Sequence, residues 1–147
     1  MRSQQTRLRA NGISTCMIEC LIVGDSIAVG TAHFRPECTV MAKSGINSRD
    51  WNEKHYHDQL KSDTVIISLG SNDLKTLNTF REIIALRSRI KARRVFWILP
   101  ANKPQKVELI RMVAEEYKDT VIPIPDVSKD RVHPSPQGYK QLAEKTR

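Results

Sequence analysis

The chain has few aromatic residues and lacks any long hydrophobic run. Its 147 residues include three Phe, three Tyr and two Trp. No stretch approaches the roughly 18 consecutive apolar residues of a transmembrane helix. The arginines near the N-terminus are not followed by the apolar segment of a signal peptide. We therefore expect no membrane span and a cytoplasmic location by default, with release on cell lysis as an alternative.

Cysteines are also scarce. The three present, Cys16, Cys20 and Cys38, include no Cys-x-x-Cys pair and are too few for a disulfide framework. Cys20 and Cys38 fall in apolar runs, where a free thiol behaves as an ordinary small hydrophobic side chain. The sequence therefore favours free thiols and gives no support for a zinc or redox site.

Positive charge is in excess. The 24 Lys and Arg outnumber the 16 Asp and Glu, for a net charge of +8. Such an excess attracts nucleic acid, anionic lipid or acidic polysaccharide. Five basic residues lie between positions 87 and 94, but aromatic residues do not alternate with them. We interpret this run as a solvated helix face and strand start and expect no nucleic-acid partner, with nucleic-acid binding as the rival hypothesis.

Five short apolar runs rich in β-branched residues predict a sheet. Such continuous runs are typical of parallel strands buried on both faces. The predicted strands are Cys16–Val23, Cys38–Ala42, Thr64–Leu69, Val95–Leu99 and Thr120–Ile124. Residues 1–15 are polar and basic, which predicts a disordered or loosely attached tail before a single domain at 16–147.

Segments with helical periodicity separate the strands. Ser48 to Leu60 is predicted to be a polar surface helix, and Ser135-Pro136 provides an N-cap and first-turn proline for the last helix. Two further helices are predicted at Phe80–Ile90 and Val107–Tyr117. Alternating strands and helices predict an open parallel α/β sheet with right-handed crossovers.

Residues suited to acyl transfer follow the predicted strands. Ser26 comes directly after the first strand, while Asp130 and His133 precede the last helix in a D-x-x-H pattern. A serine nucleophile needs an imidazole to take its proton, and the imidazole needs an acid that fixes its tautomer. Because ligands bind at the carboxyl ends of parallel strands, we expect these three groups to meet there.

Candidate donors for an oxyanion lie at the same edge. Gly45 follows the second strand and Asn72 the third. The backbone N–H groups of Ser26 and Gly45, with the Asn72 amide, would stabilise a tetrahedral intermediate. Taken singly, each residue also fits a helix cap or an ordinary turn.

Four blocks together resemble the SGNH (GDSL-like) hydrolase family, over nearly all of residues 17–146. The blocks are Gly24-Asp25-Ser26-Ile27-Ala28-Val29-Gly30, Ser44-Gly45, Gly70-Ser71-Asn72-Asp73 and Asp130-Arg131-Val132-His133-Pro134. The resemblance implies a flavodoxin-like three-layer α/β/α sandwich and ester or thioester hydrolysis without metal or cofactor. It also implies Ser26 as nucleophile, His133 as base and Asp130 as its partner, with Gly45 and Asn72 in the oxyanion hole.

The substrate is less defined than the chemistry. The chain has little sequence to build a cap, which predicts an open site for short acyl groups such as acetyl on a carbohydrate. Arg49 and Trp51 are candidate substrate contacts, against a solvated charge and a packing role. Lysophospholipase or thioesterase activity, or a non-catalytic glycan-binding module on the same fold, are the alternatives. The acyl group, alcohol, source organism and oligomeric state stay open.

Overall fold

A computed structural model describes residues 19–147 of the chain. The predicted tail at 1–15 and the start of the first predicted strand lie outside the described residues. The strands are β1 (Cys20–Gly24), β2 (Thr39–Ala42), β3 (Leu60–Lys61), β4 (Thr64–Ser68), β5 (Ile90–Lys91), β6 (Arg94–Leu99) and β7 (Thr120–Pro123). The main sheet has five parallel strands in the order β2-β1-β4-β6-β7, and the two further strands, β3 and β5, pair as a short parallel ribbon.

Five helices connect and cover the strands. They are α1 (Ser26–Ala32), α2 (Ser48–Lys54), α3 (Thr79–Arg89), α4 (Pro104–Tyr117) and α5 (Pro136–Lys145). Helix α4 begins at Pro104, and, as predicted for the last helix, Ser135 caps α5, where its hydroxyl accepts a hydrogen bond from the Gly138 N–H. None of these helices has the length and apolar character needed to cross a membrane.

The sheet separates two hydrophobic cores. On one face, alternate strand residues such as Val65 and Trp97 pack with side chains of α2, α3 and α4. On the other face, Ile66 and Phe96 pack with α1 and α5. This arrangement confirms the predicted three-layer α/β/α sandwich with a five-stranded parallel sheet.

The segment predicted as one long surface helix is helical only over α2. His55 ends this helix, and its Nδ1 lies 2.7 Å from Asp58 Oδ2. The Arg89 guanidinium donates to the carbonyls of His55, Tyr56 and Asp58 at 2.6, 3.1 and 2.9 Å. These bonds satisfy carbonyls that a continuing helix would use, so the chain turns into β3 instead.

The expectation of free thiols at positions 20 and 38 is wrong. Cys20 and Cys38 form a disulfide, with Cα atoms 4.8 Å apart. The pairing of Leu21 with Thr39 brings the two preceding cysteines side by side at the amino end of the sheet. The Glu37 carboxylate completes a group within 4.8 Å that could hold a metal, but both sulfur atoms belong to the disulfide.

Several arginines of the 87–94 run have partners within the fold. Arg87 donates to both carboxylate oxygens of Asp119 at 2.7 and 2.9 Å, and Trp97 Nε1 donates to the same carboxylate at 3.0 Å. Arg94 donates to the Thr64 hydroxyl. Arg87 is therefore a packed structural residue, in contrast to the solvated side chain expected from its sequence position.

Candidate active site

The carboxyl ends of three neighbouring strands form the edge that carries the predicted site. Gly24 at the end of β1 pairs with Ala42 of β2 and with Ser68 of β4. The Lys43 N–H extends the first pairing by donating to the Gly24 carbonyl at 2.9 Å. The segments that follow these strands therefore leave the sheet side by side, with Ser26 on the central one.

A sharp turn leads from β1 into the helix that begins at Ser26. Gly24 has a φ of +143°, and a Cβ at this position would overlap the Ser68 carbonyl oxygen. The same carbonyl accepts a hydrogen bond from the Asp25 N–H at 2.9 Å. Glycine is required here because only a residue without a Cβ allows this approach. The close approach fixes Ser26 at the strand end.

Asp25 caps α1 from a fully buried position. Its Oδ1 accepts hydrogen bonds from the Ile27 N–H at 3.0 Å and from the Ser68 hydroxyl at 3.1 Å, while its Oδ2 has no partner among the described residues. Burial raises the pKa of Asp25 to about 6, although both hydrogen bonds oppose this. The residue beside the candidate nucleophile is therefore a carboxyl group that is costly to ionise.

Ser26, His133 and Asp130 form one hydrogen-bonded chain. Ser26 Oγ lies 2.9 Å from His133 Nε2, and His133 Nδ1 lies 2.7 Å from Asp130 Oδ2. A carboxylate only accepts hydrogen bonds, so Nδ1 carries the ring proton and Nε2 presents a lone pair to the serine hydroxyl. The imidazole is thus oriented to accept the Ser26 proton.

Asp130 is held by its own loop. Its Oδ1 accepts hydrogen bonds from the Val132 N–H, the His133 N–H and the Ser128 hydroxyl at 2.8, 2.9 and 2.9 Å. The hydrogen bond from the Val132 N–H, and to a smaller extent the one with the His133 side chain, holds the pKa of Asp130 well below its usual range. Asp130 is therefore a carboxylate at neutral pH, as the tautomer of His133 requires.

Gly45 and Asn72 lie on the two segments that flank Ser26. Gly45 has a φ of +82° with open space where a Cβ would stand. The Asn72 Nδ2 donates one hydrogen to the Ile46 carbonyl at 3.0 Å, and its second hydrogen is not used by that bond. This bond joins the Gly45 segment to the Asn72 segment and fixes the plane of the amide.

The fold of this chain is similar to those of solved structures. A "putative acylhydrolase" from Bacteroides fragilis has a TM-score of 0.68 and 18% identity, over 89% of this chain and 85% of that chain. A "putative GDSL-like lipase" from Parabacteroides merdae has a TM-score of 0.65 and 17% identity, over 86% and 92%. The chain has a GDSL-like fold. No family model and no curated protein matches it in sequence.

Within this GDSL-like fold, Asp73 is a buried residue to which the sequence analysis assigned no role. Its Oδ1 accepts from the Ser48 N–H at 2.8 Å, and its Oδ2 accepts from the hydroxyls of Ser48 and Thr79 at 2.6 and 2.7 Å. The carboxylate thus ties the Asn72 segment to the first residues of α2 and α3. The one feature of the sequence that could have indicated a role for Asp73 was its position next to Asn72, in the block Gly70-Ser71-Asn72-Asp73.

Trp51 does not flank the candidate cleft of this GDSL-like fold. The side chain is fully buried in the core, and its Nε1 donates to the Met41 carbonyl at 2.8 Å. The expectation of substrate contact is therefore replaced by a packing role. Arg49 lies on the outer side of α2, 59% exposed, with its Nε 3.7 Å from Asp50 Oδ1.

Tyr139 is a further residue of the site region. Its ring lies against Gly30 of α1, where an added Cβ would overlap it. Burial, and to a smaller extent the charges of Asp25 and Asp130, raise the pKa of Tyr139. The sequence interpretation placed Tyr139 on the apolar stripe of the last helix and missed its proximity to these two acids.

Proposed function

We propose that the protein is a serine esterase that hydrolyses short-chain carboxylic esters. The observation that carries this proposal is the chain from Ser26 Oγ through His133 to Asp130, with hydrogen bonds of 2.9 and 2.7 Å. These distances are those of a nucleophile and base in hydrogen-bond contact. The GDSL-like fold supports a hydrolase of this kind.

In the proposed reaction His133 Nε2 takes the hydroxyl proton as Ser26 Oγ attacks the ester carbonyl carbon. The tetrahedral intermediate collapses when His133 returns that proton to the leaving alcohol, which leaves an acyl-serine. A water molecule then attacks the acyl-serine, with His133 again as base and then as acid. Asp130 stays ionised throughout and stabilises the imidazolium.

The oxyanion of each intermediate needs fixed hydrogen-bond donors. We assign this role to the backbone N–H groups of Ser26 and Gly45 and to the second hydrogen of the Asn72 amide. The Asn72–Ile46 hydrogen bond supports the assignment, because an amide held in one plane needs no reorganisation during reaction. Removal of one such donor typically lowers kcat by about 10²–10³-fold.

For the substrate we propose acetyl or another short acyl group, with O-acetylated carbohydrate as the first class to examine. The open space beside Gly45 and the exposure of His133, whose side chain is 42% accessible, support an uncapped site. Hydrolysis of long-chain lipid esters would require a deep apolar groove, whereas the cavity beside Gly45 is lined by the charged residues Lys43, Asp50 and Lys54 as well as by Ile46.

The test is hydrolysis of p-nitrophenyl esters from acetyl to dodecanoyl, together with acetylated oligosaccharides. We expect activity on acetyl and butyryl esters that falls with chain length. The Ser26→Ala variant should lose at least about 10³-fold in kcat. Ser88→Ala, which removes an exposed hydroxyl from α3, is the matched control and should keep full activity.

Two results would contradict the proposed chemistry, and a third would contradict only the proposed chain length. Activity that survives in Ser26→Ala would exclude a serine nucleophile at this position. Absence of esterase activity together with glycan binding that is unchanged in Ser26→Ala would favour a binding module on the same fold. A preference for dodecanoyl esters would leave the chemistry in place but reject the short-chain assignment.

A further inference from the structure

A groove next to Gly45 has no role in the acyl-transfer steps described above. Its volume is ≈ 310 Å³, and its walls are Lys43, Ser44, Gly45, Ile46, Asp50 and Lys54. Gly45 belongs both to this groove and to the proposed oxyanion hole. An ester whose carbonyl oxygen accepts from the Gly45 N–H would therefore lie next to this groove.

Neither lysine of the groove forms an ion pair within the part of the chain that the structure describes. Within residues 19–147, no carboxylate oxygen lies within 4.0 Å of the ammonium of Lys43 or Lys54. The acid in the groove, Asp50, is already engaged, since it faces Arg49 at 3.7 Å and accepts from Asn47 Nδ2 at 3.2 Å. The groove therefore presents a net positive charge to a ligand.

The position of Lys43 is set by the sheet. Its N–H donates to the Gly24 carbonyl at 2.9 Å, so its backbone lies against the strand end that leads to Ser26. Lys54 lies in the last turn of α2 and also lines the groove. The two lysines thus border one volume from two separate elements.

We propose that this groove binds a carboxylate carried by the ester substrate. The inference rests on the proposed function and narrows its substrate class to anionic esters, such as those of acidic sugars. A carboxylate of the substrate would pair with Lys43 and Lys54 while its ester carbonyl occupies the oxyanion hole. The attraction is electrostatic and exposed to solvent, so it weakens as salt is added.

The charge could lie on the alcohol or on the acyl side of the ester, and two pairs of substrates separate these sources. For the alcohol side, para-acetoxybenzoate is compared with phenyl acetate. For the acyl side, the p-nitrophenyl monoester of adipic acid is compared with p-nitrophenyl hexanoate. Within each pair the quantity measured is the ratio of kcat/KM for the anionic ester to kcat/KM for the neutral ester.

The decisive variant is Lys43→Gln/Lys54→Gln. We expect the ratio to fall about ten-fold for one of the two pairs, because each exposed ion pair contributes a factor of about two to five. The loss should appear mainly in KM, and hydrolysis of the neutral esters should stay within about two-fold. In the wild-type protein, 0.5 M NaCl should lower the same ratio.

A matched control removes two lysines from the opposite end of the sheet. Lys61 and Lys91 pair with each other in the β3–β5 ribbon, which precedes β4 and β6. Lys61→Gln/Lys91→Gln changes the net charge by the same amount as the groove variant. An equal fall of the ratio in this control would assign the effect to overall charge and overturn the proposal, as would an unchanged ratio in the groove variant.

A binding measurement tests the groove independently of catalysis. In Ser26→Ala, titration with para-acetoxybenzoate and, separately, with the p-nitrophenyl monoester of adipic acid should shift the NMR signal of the Gly45 amide for at least one of the two esters, with weaker binding in high salt. The shift should be lost when Lys43→Gln/Lys54→Gln is added to the same protein. If the esters are not hydrolysed but this shift is seen, the proposed function is wrong and the carboxylate site in the groove is supported. If no shift is seen, the carboxylate site is wrong.

Discussion

Asp73 holds Ser48 by two hydrogen bonds, one to the backbone N–H at 2.8 Å and one to the side-chain hydroxyl at 2.6 Å. Ser48 is the first residue of α2 and follows the segment that carries Gly45, whereas Asp73 follows Asn72. Together with the Asn72–Ile46 hydrogen bond, the Asp73 carboxylate therefore sets the spacing between the two segments that carry the proposed oxyanion donors.

We expect Asp73→Ala to lower the free energy of unfolding by about 3 kcal/mol, because the Ser48 N–H and hydroxyl and the Thr79 hydroxyl would lose their buried acceptor. A urea denaturation midpoint measures this loss. Glu116→Ala, which removes an exposed carboxylate from α4, should change stability by less than about 0.5 kcal/mol. Equal midpoints for the Asp73 variant and the wild type would show that the network does not stabilise the fold.

Asp130→Asn tests the proposed base without disturbing the sheet. The amide would present N–H to His133 Nδ1 and so favour the tautomer that carries its proton on Nε2, where Ser26 must donate. We expect kcat to fall by about 10²–10⁴-fold. Circular dichroism should be unchanged, since the Asn oxygen can still accept the loop hydrogen bonds. Activity within a few-fold of wild type would remove Asp130 from the proposed mechanism.

Asp25 should make stability depend on pH. Its pKa is about 6 in the folded protein against an ordinary value of 3.8, so the folded state binds more protons between these values. The protonated Asp25 therefore contributes up to about 3 kcal/mol to the free energy of unfolding below pH 3.8. This contribution is lost as the pH rises through 6. Asp25→Asn removes this titration.

The measurement is the unfolding free energy of wild type and Asp25→Asn at pH 4 and pH 7.5. The unfolding free energy of the variant minus that of the wild type should increase by about 2.5 kcal/mol from pH 4 to pH 7.5. Comparison with the variant subtracts the titration of all other groups. A difference that is constant with pH would mean that Asp25 is not harder to ionise in the folded protein.

The Cys20–Cys38 disulfide predicts a thiol count and a stability change. Denatured, unreduced protein should react at one thiol, Cys16, and reduced protein at three. Closing a loop of 18 residues stabilises a fold by about 3 kcal/mol, so reduction should lower the urea midpoint accordingly. Cys20→Ser/Cys38→Ser should show the lower midpoint without reductant. Three reactive thiols in unreduced protein would refute the crosslink.

Much of the sheet could be predicted from the sequence, because strands buried on both faces form continuous apolar runs. The disulfide could not be predicted in this way. It depends on the parallel register between β1 and β2, which places Cys20 beside Cys38 and leaves no periodic signal in either strand. The short ribbon of β3 and β5 was missed for a related reason, since two residues are too few to form a pattern.

The candidate site could also be predicted only in part. The contact between Asp130 and His133 could be predicted from their spacing, because both residues lie in one loop. Trp51 was misplaced because a helix of two turns does not reveal from sequence which side faces the core. The contacts of Asp73 join residues 25 apart in sequence and depend on how the segments after β2 and β4 leave the sheet.

The loop that carries His133 is held largely by bonds within itself. The Ser128 N–H donates to the His133 carbonyl at 2.8 Å, and Val127 and Pro134 form a bridge at its base. Opening of this loop would break the contact with Ser26 while both hydrophobic cores stay packed. Local opening free energies can be far smaller than that of global unfolding. The working temperature range of the site is therefore set by a few loop hydrogen bonds, and mutations that make the sheet more stable need not extend it.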